Sequence, residues 1–456
     1  MDYFIVIINA YFASYYIFHV VLILLGAYVI KTELRTAPVR DASQLPAVTL
    51  IVPAYNEEDV IVKTVAAIAA EEYPSFEIIV VNDGSKDNTM EALKAAYKLI
   101  HMSVVYKEYI PTARVRAVFS SQTMSNLRVV DKDNGGKSDA INAAINLASN
   151  ELVCIVDADV IPERHSLFYM VQPFIQSKSL NVVAVGGHIR IYHGSNVESG
   201  TIDDLATPNK FIHLIQVLEY IRSFSMMRLG WSALNAAPLI SGAAGIFKKT
   251  MLLQLGGYQK FSKGEDMELV LRLHEYHLQQ GTPYKITQLV RPIFFTGAPS
   301  TLTELAGQRR RWHVGLLSSL KVYRHMFFRY RFKTLGLVTL PYLFFFETIT
   351  PFIELVGYAA IGYLSVTQLL SFSYWMSSLL TIIGGCALSN LSAIIGDAWL
   401  IGLYRNRADL IKLLIAAIFE PLGYHQLNQW WKIQATFAFL TKIHLRSTWQ
   451  PPSRDK

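Results

Sequence analysis

Asp157-Ala158-Asp159 closes an apolar run, and Gly264-Glu265-Asp266 follows far downstream. Gln308-Arg309-Arg310-Arg311-Trp312 comes next, just before a long hydrophobic region. Carboxylates two residues apart at a strand end suit a divalent cation. Mg²⁺ and Mn²⁺ take oxygen donors and commonly combine one or two carboxylates with substrate phosphates. In strand geometry the two side chains point to opposite faces, but a turn can converge them. A later aspartate suits a base that takes a proton from a hydroxyl.

These residues need strand ends and helix starts to hold them. Val48–Val52, Glu77–Val81 and Leu152–Val156 read as buried strands, with Ser103–Tyr106 and Leu127–Val130 as two more. Glu57–Ala70, Asp87–Ile100 and Lys137–Leu147 read as helices, the second capped by Asp87 or Asn88. Alternation of apolar strands with helices predicts an α/β domain around a mostly parallel, Rossmann-like sheet. Ligands of such sheets bind beyond the carboxyl ends of the strands. Tyr55-Asn56-Glu57, Asp83 and Asp157/Asp159 all fall at such ends. The polar stretch 108–126 reads as an insertion.

The chain has 456 residues, 52% of them apolar. That exceeds what a soluble enzyme needs, and the excess gathers at the two ends. Phe4–Ile30 is nearly free of charge and long enough to cross about 30 Å of hydrocarbon. It lacks a basic n-region and a small-residue cleavage site, so it reads as a retained anchor. Leu335–Val366 and Tyr374–Leu403 read as two further spans, the first kinked at Pro341 and Pro351. Their Glu347, Glu354 and Asp397 either line a pore or hydrogen-bond between helices. Leu302–Arg331 is basic and amphipathic, as an interfacial helix requires. Asp409–Phe439 is apolar but broken by polar residues, and reads as interfacial or re-entrant.

The net charge is +7. The basic residues flank the hydrophobic segments: Lys31, Arg35 and Arg40, then Lys321 to Lys333, then Arg405, Arg407 and Lys412. That placement follows the positive-inside pattern and points to a lipid bilayer, not to nucleic acid. The uncharged connection Thr367–Ser373 is expected outside, giving three crossings and an inward-facing catalytic domain. Cys154 and Cys386 lie far apart in apolar surroundings and read as buried thiols. His188, His213, His274 and His313 show no metal-ligand spacing. The expected organisation is an anchor (1–35), a catalytic domain (46–300), interfacial helices with the Q-x-x-R-W box (301–333), and transmembrane and interfacial helices (334–456).

Val48–Glu58 and Val80-Val-Asn-Asp-Gly-Ser85 resemble the nucleotide-sugar half of family 2 glycosyltransferases. Asn134-Gly-Gly-Lys-Ser-Asp-Ala140, Asp157-Ala-Asp159, Gly264-Glu-Asp266 and Gln308–Trp312 continue that family's motifs in order. The resemblance covers roughly residues 46–315, and the hydrophobic flanks fit the membrane-integrated branch. That branch includes synthases of cellulose, hyaluronan and poly-N-acetylglucosamine. The resemblance implies a GT-A fold, a UDP-sugar donor with UDP-GlcNAc favoured, a polysaccharide acceptor, and Mg²⁺ or Mn²⁺. It also implies a bacterial inner membrane.

On this resemblance Asp83 contacts the uracil, with Tyr55, Asn56 and Glu57 around base and ribose. Lys137 contacts the diphosphate. A P-loop reading of Gly135-Gly136-Lys137-Ser138 fails, because position 131 is Asp131, where that motif needs glycine. Asp159 is assigned to the metal, and Asp157 to the nucleotide and the metal. Asp266 is the candidate general base, with Glu265 beside it. One base and a metal-assisted leaving group imply a single displacement with inversion, without the carboxylate nucleophile of a retaining glycosidase. The family's commoner triplet begins with Thr, and Gly264 departs from it. Arg311 suits a diphosphate, Gln308 and Trp312 an acceptor sugar, and Ser241-Gly242 a close backbone approach to that acceptor.

The rival functions are transfer of one sugar to a lipid carrier, and a membrane transporter or receptor with an inactive domain. Three crossings are few for a pore, so a homo-oligomer or export partner enters the expectation.

Overall fold

The computed structural model describes residues 2–177, 179–195, 197–198, 201–202, 205–260, 262–367, 371–404 and 406–441. The strands are Val48–Ala54 (β1), Phe76–Asp83 (β2), Leu99–Met102 (β3), Val115–Ser121 (β4), Leu127–Lys132 (β5) and Leu152–Val156 (β6). They continue with Val160–Pro162 (β7), Asn181–Ile191 (β8), Val197–Glu198 (β9), Thr201–Ile202 (β10), Ala244–Lys248 (β11) and Tyr284–Thr296 (β12). Ten form one sheet, ordered β3-β4-β5-β2-β1-β6-β11-β8-β12-β7, while β9 and β10 pair separately.

β5, β2, β1 and β6 run parallel, with Val80 level with Val52 on one side and Val129 on the other. β8 and β12 are also parallel. β3, β4, β11 and β7 run against their neighbours. Every residue of β6 is buried, which is why it reads as an unbroken apolar run. Ile51, Ile79, Val130 and Ile155 pack with Ala140, Ala144 and Ile145 of the helix Lys137–Leu147. Each buried Ile of this set contributes about 1.5–3 kcal/mol.

Three local expectations shift. The helix expected over Glu57–Ala70 spans Ile61–Ala69. The helix expected over Asp87–Ile100 spans Thr89–Tyr97, because Lys98 turns left-handed (φ 45°) and starts β3 at Leu99. Ser103–Tyr106 is accordingly not a strand. Asn88 holds the N-cap position without a side-chain bond, and Asp87 Oδ1, one residue earlier, accepts from Thr89 N at 3.1 Å. The insertion 108–126 contains β4, the partner that joins β3 to the sheet.

The chain divides into two units. The α/β unit is 34–205 with 235–297, and the helical unit is 1–33, 206–234 and 298–456. The segment 206–234 thus leaves the range read as one catalytic domain and packs with the helices. Among the described residues, three helices are long and apolar enough to cross a membrane: Val6–Glu33, Leu335–Val366 and Phe372–Leu400. The second carries π-helical turns at Leu335–Thr339 and Leu343–Ile349, adjoining Pro341 and Pro351. Arg407–Phe419 and Tyr424–Leu440 are two further helices. Residues 368–370 of the expected outer connection, Arg405, and 442–456 lie outside the described residues.

Glu347 accepts from Lys432 Nζ at 2.9 Å, Glu354 pairs with His425 Nε2 at 2.8 Å, and Asp397 accepts from Ser225 Oγ at 2.8 Å. Each carboxylate in the spans therefore bonds to a side chain on another element, as the hydrogen-bonding reading requires.

Candidate active site

The carboxyl ends of β1 and β2 are laced together before any ligand is considered. Asn56, left-handed at φ 56°, donates its N–H to Ser85 Oγ at 3.0 Å, and its Oδ1 accepts from Lys86 N at 2.8 Å. Glu57 N donates to Thr89 Oγ1 at 2.8 Å. Tyr55, Asn56 and Glu57 are half-buried at this edge.

Asp83 ends β2 and is 3% exposed. Its Oδ1 accepts from Lys132 Nζ at 2.5 Å and from Gly135 N at 3.0 Å, and its Oδ2 accepts from Gly136 N at 2.7 Å. The carboxylate thus shapes the glycine turn ahead of Lys137. Gly136 has φ 88°, which favours glycine. Lys132 is fully buried and also pairs with Asp139 at 2.7 Å, which Lys260 meets at 2.5 Å. Two lysines hold Asp139 below the usual carboxylate range, against the opposing effect of burial. Sequence reasoning assigned no role to Lys132, Asp139 or Lys260.

The helix Lys137–Leu147 connects the two halves of the site. Lys137 Nζ lies 2.6 Å from Asp157 Oδ1 and donates to Gly242 O at 3.4 Å. Gly242 N donates to Asp266 Oδ2 at 3.3 Å, while Asp266 Oδ1 accepts from Met267 N at 2.8 Å. Lys137, Asp157, Gly242 and Asp266 therefore form one connected set. Burial alone would lower the Lys137 ammonium, but Asp157, Glu265 and Asp266 outweigh it and hold the group above its ordinary value. Burial pushes Glu265 up, and Asp266 adds to that against the pull of Lys137. Farther along the same helix, Asn142 donates to Tyr258 O at 2.8 Å and accepts from Tyr258 N at 2.7 Å. It clamps the backbone that leads into Gly264-Glu265-Asp266.

Asp157 and Asp159 are half-buried after β6, and Val160 N closes a turn onto Asp157 O at 3.1 Å. Their donors are hard oxygens, and the ammonium against Asp157 marks a place where positive charge is favoured. Both features fit a Mg²⁺ or Mn²⁺ ion.

The Q-x-x-R-W box belongs to the helix Leu302–Val322 of the helical unit. Arg309 is buried, bonds Glu219 and Gln308, and lies 4.4 Å from the Trp312 ring centre. Arg311 and Trp312 are exposed, and Gln308 is half-buried. Leu305, Ala306, Arg309 and His313 share the buried face, a helical spacing that was present in the sequence.

Residues 46–315 match the family described as glycosyltransferase like family 2. A poly-beta-1,6-N-acetyl-D-glucosamine synthase of Staphylococcus epidermidis is 27% identical over 273 residues, 60% of this chain and 55% of that one. The synthase of the same name from Staphylococcus aureus strain MSSA476 is 28% identical over 287 residues, 63% of this chain and 58% of that one. The chain thus spans little more than half the length of these curated relatives. A mannosyltransferase from Pyrobaculum calidifontis, solved with GDP-Man and Mn²⁺, superposes with a TM-score of 0.55 at 20% identity, covering 91% of this chain and 99% of that one. That likeness shows a shared GT-A fold. With the family's domain spanning more than half of its length, this chain belongs to glycosyltransferase family 2.

Proposed function

We propose that this enzyme is an inverting, membrane-embedded transferase that moves GlcNAc from UDP-GlcNAc to a growing β-linked polysaccharide. One observation carries the reading. Asp266 and Lys137 both bond the Gly242 backbone, and Asp157 pairs with Lys137, within the α/β unit. That grouping supports a base, a cation and a carboxylate for the metal acting together.

In this reading Asp266 takes the proton from the acceptor hydroxyl as that oxygen attacks the anomeric carbon. Lys137 leaves Asp157 to meet the donor diphosphate. Asp83 and the β1 loop (Tyr55, Asn56, Glu57) edge the uracil and ribose. A divalent cation on Asp159 and Asp157 would neutralise charge on the departing UDP. Glu265, raised by burial, stands beside the base. Arg311 would meet phosphate oxygens, while exposed Trp312 and Gln308 would bind acceptor sugar. The relatives' names support GlcNAc and polymer synthesis. The three apolar helices and the basic flanks support an inner-membrane location with the α/β unit in the cytoplasm.

The test is UDP release by the purified chain in detergent with UDP-GlcNAc, UDP-Glc, UDP-GlcA and UDP-Gal, each with Mg²⁺ or Mn²⁺, followed by sizing of labelled product. The expected result is metal-dependent turnover with UDP-GlcNAc and a high-mass product. Asp266→Asn should lower turnover about 10²–10⁴-fold with UDP binding retained. A lipid-soluble monosaccharide product would replace polymer synthesis with single transfer.

A further inference from the structure

The helical unit holds a second cluster of unlike donors. Cys386 lies in the span Phe372–Leu400, Glu420 in the turn Glu420–Leu422 and His425 at the start of the helix Tyr424–Leu440. One donor atom from each lies within 4.8 Å of the other two. Cys386 and Glu420 are buried, and His425 is half-buried. Cys386 Sγ donates to Glu420 Oε2 at 3.0 Å, Asn390 Nδ2 donates to the same oxygen at 3.1 Å, and the Arg222 guanidinium lies 4.0 Å from Oε1. His425 Nε2 bonds Glu354 Oε1 at 2.8 Å, which also accepts from Gln429 at 3.0 Å. Glu354 is only 2% exposed, yet its Oε2 has no hydrogen-bond partner.

We propose that Cys386, Glu420 and His425 bind a thiophilic divalent cation, best met by Zn²⁺. Sulfur, imidazole and carboxylate are the zinc donor set, whereas Mg²⁺ and Mn²⁺ prefer oxygen. The cation is thus chemically distinct from one on Asp157 and Asp159. Zinc bonds of about 2.0–2.3 Å bring tetrahedral ligand atoms to roughly 3.3–3.8 Å apart. The observed spacing closes to that with small side-chain movements. Glu354 supplies the carboxylate that a zinc-bound histidine commonly takes on its other nitrogen.

Binding releases the Cys386 thiol proton to solvent, leaving the thiolate and Glu420 as anionic ligands beside the His425 imidazole. No electron is transferred. The site ties one span to the turn and helix that follow it.

This inference is independent of the proposed sugar transfer. Its test uses the full chain in detergent, in an Asp159→Asn background that removes a ligand of the donor-site cation. Metal analysis should find about one zinc per chain. Chelation should lower the Tm, and Zn²⁺ should restore it. Co²⁺ added to the stripped protein should give thiolate-to-cobalt charge-transfer absorption. Cys386→Ser keeps a donor to Glu420 but should lose the zinc, the Tm response and the absorption. Glu354→Gln should weaken zinc binding about 10–100-fold. Zinc far below stoichiometry, with a Tm response to Zn²⁺ no larger than that of Cys386→Ser, would overturn the proposal and leave a hydrogen-bonded helix clamp. Cobalt absorption that survives Cys386→Ser would overturn it as well.

Discussion

Gly242 offers its N–H to Asp266 and its carbonyl to Lys137, so one backbone residue spaces the base from the cation. A Cβ there would lie 3.3 Å from Lys137 Nζ and 3.5 Å from Asp266 Cβ. Gly242→Val is expected to add about 1–3 kcal/mol of local strain and to cut turnover more than tenfold. UDP-release kinetics beside a melting curve check this, since a general folding defect would move both together. Glu71 offers a pH-dependent test. Its carboxylate accepts from Ser166 Oγ and Leu167 N, both at 2.7 Å, and burial pushes its pKa up to about 8. The fold therefore favours the protonated group. Its contribution is full below the ordinary glutamate value and is lost as pH rises toward about 8. Glu71→Gln should raise the Tm at pH 8.5 and change it little at pH 4.5. An equal shift at both pH values would refute the assignment. Asp157, Asp159 and Asp266 stood out in the sequence as candidates because each follows a recognisable apolar run or opens a helix. Lys132 was not, because a lysine at a strand's end carries no sign that it will be buried between Asp83 and Asp139.

The helix Lys137–Leu147 presents Lys137, Asp139 and Asn142 to different parts of the site, and Asn146 to the Ile110 backbone. Its span was readable from its own sequence, but its partners were not. Asn142 and Tyr258 are 116 residues apart, and no local pattern encodes that contact. Asn142→Asp removes the donor to Tyr258 O and leaves that carbonyl unpaired, at a cost of about 1–3 kcal/mol. Denaturant unfolding should show the loss, and turnover should fall with it if the clamp sets the approach to Asp266. In the helical unit, a Cβ on Gly26 would collide with the Met226 carbonyl oxygen, and one on Gly230 with that of Leu22. The two backbones approach as closely as small residues allow. Gly230→Leu is therefore expected to lower the Tm by several degrees, whereas Gly362→Leu, with nothing within 4 Å of its Cβ position, should not. The apolar segment 211–233 fell inside the expected catalytic range 46–300, since apolar composition alone does not say which neighbour will cover it.

Across the whole molecule, the basic residues flanking the spans argue for an inward-facing α/β unit. A single cysteine at Thr367, in a Cys154→Ala, Cys386→Ser background, should react with a membrane-impermeant maleimide on intact spheroplasts. One at Arg329 should react only after lysis, and the reverse pattern would invert the topology. The division into units carries a further consequence, in the order of synthesis. The helical unit is assembled from three stretches of chain, with the α/β unit made between them. Gly26 meets its partner only once Met226 has left the ribosome, about 200 residues later. At ~5–20 residues per second, the first helix waits in the bilayer for roughly 10–40 s without its neighbour. During that interval its glycine face is open to lipid, to an insertase, or to the same helix of another nascent chain.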